Sequence, residues 1–513
     1  MRNAKLLMIN TVILTLGSFL MRTISVSFNI YLTNIIGSSG MGLFQLIIAV
    51  YGLAVTFASA GIKLGTTRLI TEALSTTNQS TRKIIKMCLK YAVAISSIIF
   101  ILMYLSSDLI AEKWICDKRA ADSIKILALS LPPISVSASL NGYFTARKNI
   151  IKYSGVQLAE QLSKILITVI SLNFFGNTGL EYSCFAIGFG MTFSELISAF
   201  LAYITYITDS KKFDKFNSFK PPLKKLLHIT VPDAVGAAFR SILLTIEHLL
   251  IPRGFEKSGQ SAVQSMSVYG LIHGIALPII LYPSAVMTSL SSLLVPELAK
   301  YKLLKQNDKI SYISSTVLKL SFVFSFAIGS FIFFFADTVS LAIYESTESA
   351  YYLKLLSVLL PIMYTDMITD GLLKGLDCQA ASMSYNIFDS ALCVILVYLI
   401  LPKYAIKGYI FILFISEIIN FALSINKLAK ETTLNINLYN DIIKPVICGC
   451  GCCSVLSLIS RNSFIGALSA KFQLILFVIG SGVIYFICIY YSESISRKDI
   501  KNYRMLIKNQ SYA

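Results

Sequence analysis

The stretch AKFQLILFVIGSGVIYFICIYY, from Ala470 to Tyr491, carries one charged residue, Lys471, in 22 positions. As a helix rising 1.5 Å per residue it spans the roughly 30 Å of hydrocarbon in a bilayer. Apolar runs of similar length recur along the chain, separated by short polar breaks. They fall near residues 6–32, 40–70, 86–106, 123–145, 153–175, 180–207, 226–251, 264–294, 314–336, 352–374, 380–401, 407–427, 442–460 and 470–491. Composition agrees: of 513 residues, 55% are hydrophobic and 14% charged, against about 25% charged in a soluble domain. The expected fold class is an all-α polytopic membrane protein with about 14 transmembrane helices. A surface this apolar faces lipid, which excludes soluble catalytic domains, secreted disulfide scaffolds and nucleic-acid readers.

The charge of +18, from 45 Lys and Arg against 27 Asp and Glu, has a bland explanation in the positive-inside rule, and no nucleic-acid partner is expected. With the N-terminus in the cytoplasm, about 28 cations fall on inside ends and loops, about 11 outside and about six within spans. The inside set includes Arg82, Lys83, Lys86 and Lys90, the run from Lys211 to Lys225, and Arg497 to Lys508. The expected topology is therefore multi-pass, with both termini cytoplasmic and the basic tail lying on anionic headgroups. Arg2 and Lys5 before an apolar stretch resemble a signal peptide, but the stretch is too long and no small-x-small cleavage site follows, so it reads as the first span. The run Cys448-Gly-Cys450-Gly-Cys452-Cys453 sits inside an apolar segment. Lacking a second pair at zinc-ligand spacing, it reads as small residues packing a membrane helix, and no metal site is expected.

An internal repeat organises the spans. Met41 through Glu72 aligns without gaps on Met266 through Glu297, and the span before each carries one arginine near its middle, Arg22 and Arg240. Spans 1–6 and 7–12 then form two parallel halves, an arrangement found in alternating-access transporters. The expected division is an N-lobe over 1–210, a C-lobe over 211–430, and two further spans with the basic tail over 431–513. Helix breakers mark points of bending: Gly270, Gly274, Pro278 and Pro283 in span 8, with Pro132-Pro133, Pro232, Pro361 and Pro445 interrupting others.

Charge at mid-bilayer costs at least about 2.5–3.5 kcal/mol per residue, so each ionisable group at depth needs a partner or a wet cavity. The cations Arg22, Lys63, Arg68 and Lys164 all lie in the first half; the acids Asp366, Asp370, Asp389 and Glu417 lie in the second, with Arg240 and Glu247 on one face of span 7. A guanidinium stays charged and offers a fork that matches phosphate oxygens. Arg22, Arg68, Arg240, Lys63 and Lys164 are therefore the expected substrate-binding residues for an anionic headgroup, although Glu160 and Lys164 at i,i+4 also suit each other. Asp389, Asp366, Asp370, Glu417 and Glu247 are the expected ion-coupling residues, because carboxylates at depth hold Na⁺ or a proton. No cofactor beyond such an ion is expected. Gly37-Ser-Ser-Gly-Met-Gly42 lacks the lysine of an ATP-binding loop, no His-Glu-x-x-His exists among His228, His248 and His273, and an enzyme is not expected.

Span 8, from Tyr269-Gly270 and Gly274-Ile-Ala-Leu-Pro278 through Tyr282-Pro283-Ser284 to Val295-Pro296-Glu297, resembles the stage V sporulation protein B family. So does the opening, with Arg22, Tyr31-Leu32 and Gly40-x-Gly42-x-Phe44-Gln45. That family belongs to the multidrug/oligosaccharidyl-lipid/polysaccharide exporter superfamily and is similar to the lipid II flippases. The resemblance implies a MATE-like fold of two six-helix lobes plus two C-terminal helices. It also implies a flippase for a polyprenyl-diphosphate-linked saccharide, in sporulation the cortex peptidoglycan precursor, with membrane lipids and cell-wall synthesis enzymes as partners. By resemblance Arg22 and Arg240 match cavity arginines that hold diphosphate, and Asp389 matches a sodium-site carboxylate. The chain departs from it at Gly61-Ile62-Lys63, where the family often carries Gly-Ile-Pro. The rival expectations are a cation-coupled drug antiporter, which favours acids in the first lobe, and a non-transporting scaffold for wall assembly.

Overall fold

The computed structural model describes residues 2–59, 61–75, 81–147, 149–175, 179–210, 223–460 and 468–492. Most of the basic run from Lys211, the tail Arg497 to Lys508, and the side chains of Arg2 and Lys5 lie outside the described residues. The first helices are α1 (Arg2–Ser59), α2 (Ile62–Ser75), α3 (Thr81–Leu105), α4 (Ala121–Ala128), α5 (Leu131–Ala146), α6 (Ile150–Phe175), α7 (Leu180–Ser210) and α8 (Leu223–Lys257). After them come α9 (Ala262–Tyr269), a π-helical segment Gly270–Ala276, α10 (Leu277–Leu281), α11 (Ala285–Leu303) and α12 (Asn307–Tyr344). The chain ends with α13 (Ala350–Ser357), α14 (Leu360–Gly375), α15 (Gln379–Glu431), α16 (Lys444–Ser460) and α17 (Ala470–Tyr491). No strand occurs among the described residues.

Among the described residues ten helices are long and apolar enough to cross a membrane, or twelve when each of two bent pairs is taken as one span. That is fewer than the expected fourteen, and the difference lies in how apolar runs join. Phe19–Leu74 and Gln379–Glu431 count once each at 56 and 53 residues, yet at 1.5 Å per residue each extends about 80 Å, over twice the hydrocarbon thickness. Each is also interrupted. Gly37 adopts φ 69°, ψ 177° within α1, a backbone region essentially closed to other residues. Nothing lies within 4 Å of where its Cβ would be, so backbone conformation alone demands glycine there. Ala405 breaks α15 at φ 48°, ψ −134°.

Proline acts mostly at helix starts. Pro132 and Pro133 open α5 after a 44° bend from the preceding helix, and Pro361 opens α14 after a 57° bend; a missing N–H costs nothing in the first turn. Pro283 lies in the gap between α10 and α11. Pro232, expected to interrupt its span, lies within an unbroken α8, and Pro445 occupies the first turn of α16 rather than an interruption.

Contacts divide the chain into two compact units: residues 39–256 with 260–267, and residues 1–38 with 257–259 and 268–513. In the first, Ile62, Ile70, Ile85, Tyr143, Phe144 and Leu226 form a fully buried core. Gly61 takes φ 66° between α1 and α2, and a Cβ there would stand 2.6 Å from the Thr230 carbonyl oxygen of α8. Buried Asp209 accepts from Tyr143 Oη at 3.2 Å and pairs with Arg147 at 3.2 Å and Lys152 at 2.6 Å, tying α5, α6 and α7 at one end. In the second unit Phe335 of α12 stacks on Phe477 of α17 at 4.6 Å, beside Cys453 of α16. Lys319 of α12 pairs with buried Asp441 at 3.3 Å. The cysteine-glycine run does pack a helix: a Cβ on Gly449 would lie 2.6 Å from Ser330 Oγ of α12.

Candidate functional site

Arg22 lies half-buried on α1, three residues after Phe19. Within the 1–38/268–513 unit this turn meets the break in span 8. Thr23 Oγ1 and Tyr282 Oη are 2.9 Å apart, and the Phe19 and Tyr282 rings pack at 5.5 Å. Tyr282 occupies the gap between α10 and α11, and fully buried Tyr364 of α14 donates its hydroxyl to the Ile280 carbonyl just before that gap. The phenol of Tyr364 is the group Arg22 feels electrostatically, and no acid is among its neighbours. Among the described residues no ion pair takes up this guanidinium, which is always charged and sits next to the Thr23–Tyr282 contact at the helix break.

The other expected cations sit differently. Lys63 and Arg68 are exposed on α2, Arg240 is exposed on α8, and Glu247 is half-buried on that helix; all belong to the 39–256 unit. None of the ion pairs among the described residues uses Arg22, Lys63, Arg68 or Arg240. Lys164 is embedded between α6 and α7, where Glu160 and Glu195 both act on its ammonium. Ser198 donates to Glu160 Oε2 at 2.7 Å, and Tyr51 and Tyr153 feel both carboxylates. Glu195 is a residue the sequence reading passed over. As a lone acid in the apolar run of span 6, it carried the same burial-cost signal as the acids that were singled out.

The four acids of the second half lie on two consecutive helices and act on one another electrostatically. Asp366 and Asp370 lie on successive turns of α14, and Asp389 and Glu417 on α15. Asp366 feels Asp370 and Asp389, and Glu417 feels Asp366 and Asp389. Their polar partners are mostly neutral: Ser382 donates to Asp370 at 2.5 Å, Ser416 to Asp389, and Asn420 Nδ2 to Asp366 Oδ2 at 3.1 Å. Lys374 pairs with Asp370 at 3.6 Å and also acts electrostatically on Asp366. Asp366 Oδ1 and Asn420 Oδ1 are buried acceptors with no hydrogen-bond donor. Among the described residues no group of three or more His, Cys, Asp or Glu is placed to hold a metal ion, and buried acceptors without donors suit a carboxyl that takes up a proton. Ser416, Asn420 and Ser424, spaced by four along α15, form a polar stripe that periodicity alone exposes and the sequence reading missed.

A family model described as polysaccharide biosynthesis protein matches residues 7–302, over half of the chain. The chain belongs to that family. It is similar to stage V sporulation protein B of Bacillus subtilis (strain 168), at 22% identity over 407 residues, covering 78% of this chain and 79% of the relative. Among solved structures, the inward closed conformation of the lipid II flippase MurJ superposes with a TM-score of 0.73 at 15% identity, covering 94% of this chain and 100% of the other. An inward-facing multidrug resistance MATE family transporter gives 0.62 at 14% identity, over 80% of this chain and 95% of that one. The fold is thus all-α and MATE-like, and the chain is a multi-pass membrane protein.

Proposed function

We propose that this chain is a flippase that moves a polyprenyl-diphosphate-linked saccharide across the bacterial cytoplasmic membrane by alternating access, rather than an enzyme. The carrying observation is Arg22, a half-buried cation inside an apolar helix, without an acid partner, at the break of span 8. A diphosphate crossing bare hydrocarbon loses its hydration at great cost; a fixed guanidinium with phenolic neighbours replaces part of it. The name of the similar B. subtilis protein, stage V sporulation protein B, supports a spore-cortex peptidoglycan precursor as the cargo, with wall-synthesis enzymes as partners. In this reading both termini are cytoplasmic, spans 1–6 and 7–12 act as the two rocking lobes, and Arg68, Arg240 and Lys63 guide the headgroup. Asp366, Asp389, Glu417 and Asn420 hold the driving Na⁺ or proton, and Glu247 and Asp370 adjust that charge.

The test is transport of a fluorescent lipid-diphosphate sugar in proteoliposomes. Arg22→Ala should slow flipping about tenfold or more, the equivalent of about 1.4 kcal/mol per decade. Equal rates for Arg22→Ala and wild type would remove the arginine from the mechanism. One observation favours a second reading, a cation-coupled antiporter: Glu160 and Glu195 place two buried acids in the 39–256 unit. Protection of growing cells against cationic dyes, lost in Glu195→Gln, would favour it over lipid transport.

A further inference from the structure

A groove of about 580 Å³ runs along the start of α3, within the 39–256 unit. Lys83, Lys86 and Lys90 line it, together with Met87, Tyr91 and Ala94 of the same helix and Leu223, the first residue of α8. No acid is among these lining residues, and none of the ion pairs among the described residues uses Lys86 or Lys90. Steps of three and four residues set the three lysines on one face of α3, opposite buried Ile85, Ala92 and Ser96. Cations near a helix start oppose the positive end of its dipole, and no acid in the first turn of α3 offsets them. The groove is therefore an electropositive recess.

Deeper along α3 the same face turns apolar. Ile98, Ile101 and Leu105 follow the lysines at helical spacing, and each is more than half exposed. The lysines extend over about 10 Å of helix, and the apolar track beyond them runs on through a hydrocarbon half-layer of about 15 Å. Charge followed by exposed hydrocarbon, in that order along one face, matches a phospholipid read from headgroup to chain. We infer that this groove binds one anionic glycerophospholipid. The ammonium groups of Lys86 and Lys90, joined by Lys83, donate charge-assisted hydrogen bonds to the phosphate oxygens, and an acyl chain lies along Ile98 to Leu105. In a bilayer a recess at headgroup depth is filled by lipid of some kind. The lysines select a negative one, because a zwitterionic headgroup brings its own ammonium against them. Placing the lipid in the cytoplasmic leaflet rests on the orientation proposed above, in which α3 starts at the cytoplasmic face; the site itself holds whether or not the chain flips lipid.

The test is native mass spectrometry of the full chain in detergent, titrated with dioleoylphosphatidylglycerol or with dioleoylphosphatidylethanolamine. Wild type should retain one phosphatidylglycerol about tenfold more tightly than the zwitterionic lipid. The double variant Lys86→Gln/Lys90→Gln should lose that preference. Lys300→Gln/Lys305→Gln, which removes two exposed lysines from the other unit, should keep it, so the control separates a local site from total charge. Thermal unfolding without lipid should be the same for all three proteins, since the substituted side chains are exposed. Soluble glycerol phosphate in excess should not displace the lipid, because it lacks the chain that meets the apolar track. Equal retention of the two lipids by wild type, equal loss of preference in both double variants, or displacement by glycerol phosphate would overturn the proposal. One-for-one displacement by a lipid-diphosphate sugar would also overturn it, by giving the groove to the cargo.

Discussion

Two groups of carboxylates lie within the apolar helices, one in each compact unit, and they are built on opposite plans. In the 39–256 unit, Glu160 and Glu195 share Lys164, and Ser198 donates to Glu160. In the other unit, Asp366, Asp389 and Glu417 are met by serine and asparagine, the nearby ammonium of Lys374 goes to Asp370, and two acceptor oxygens have no donor. The first group carries its counter-charge with it and acts as an internal strut. The second is short of positive charge and has to borrow it. Because burial of an uncompensated charge is so costly in a membrane, the ion-coupling role proposed above is assigned to the second.

That contrast is open to direct attack. The largest expected effect is on coupling: Asp366→Asn should reduce the stimulation of flipping by an imposed Na⁺ or proton gradient about tenfold, roughly 1.4 kcal/mol. Glu195→Gln, measured alongside in proteoliposomes, should leave that stimulation within about twofold of wild type. The reverse ranking would exchange the roles of the two groups. Next in size is stability. Lys164→Met leaves two carboxylates without their cation and should destabilise the fold by about 3 kcal/mol, read as a fall in thermal midpoint in detergent. Adding Glu195→Gln should recover about half of it, since one orphaned charge is then gone; a double variant no more stable than Lys164→Met would show that the three groups do not act as a unit.

The smallest effects compare the breaks in the two aligned spans. Gly61→Ala forces a side chain into a left-handed backbone and against the Thr230 carbonyl, at about 2 kcal/mol. Pro283→Ala should cost under about 1 kcal/mol, because that turn is also held by Ser284 Oγ donating to the Leu281 carbonyl at 2.7 Å. Unfolding midpoints in the opposite order would show that the two breaks are maintained by other means.

Much of this architecture was legible in the linear chain. Apolar runs of membrane length pointed to the all-α membrane fold, and Pro283 in span 8 marked the break between Leu281 and Ala285, whereas the break between Ser59 and Ile62 in the aligned span had no breaker to announce it beyond Gly61. What remained hidden needed tertiary contact. Nothing in the sequence joins Thr23 to Tyr282, or Arg22 to Tyr364, hundreds of positions away, and nothing sets Glu195 on the neighbouring helix beside Lys164. The helix count and the hydropathy count differ because hydropathy reads two crossings in each of Phe19–Leu74 and Gln379–Glu431, where Gly37 and Ala405 turn the backbone without ending the run of helix. Pro232 misled for the related reason that a helix can absorb a proline without breaking.

The aromatic stack of Phe335 on Phe477, with Lys319 on Asp441 and Tyr485 Oη donating to the Val323 carbonyl at 2.8 Å, fastens the last two helices to α12. Those helices ride as cargo on one body of the machine. A fluorophore placed near Tyr491 would therefore report that body's displacement in real time, and an antibody fragment gripping α17 would make a handle for imaging it.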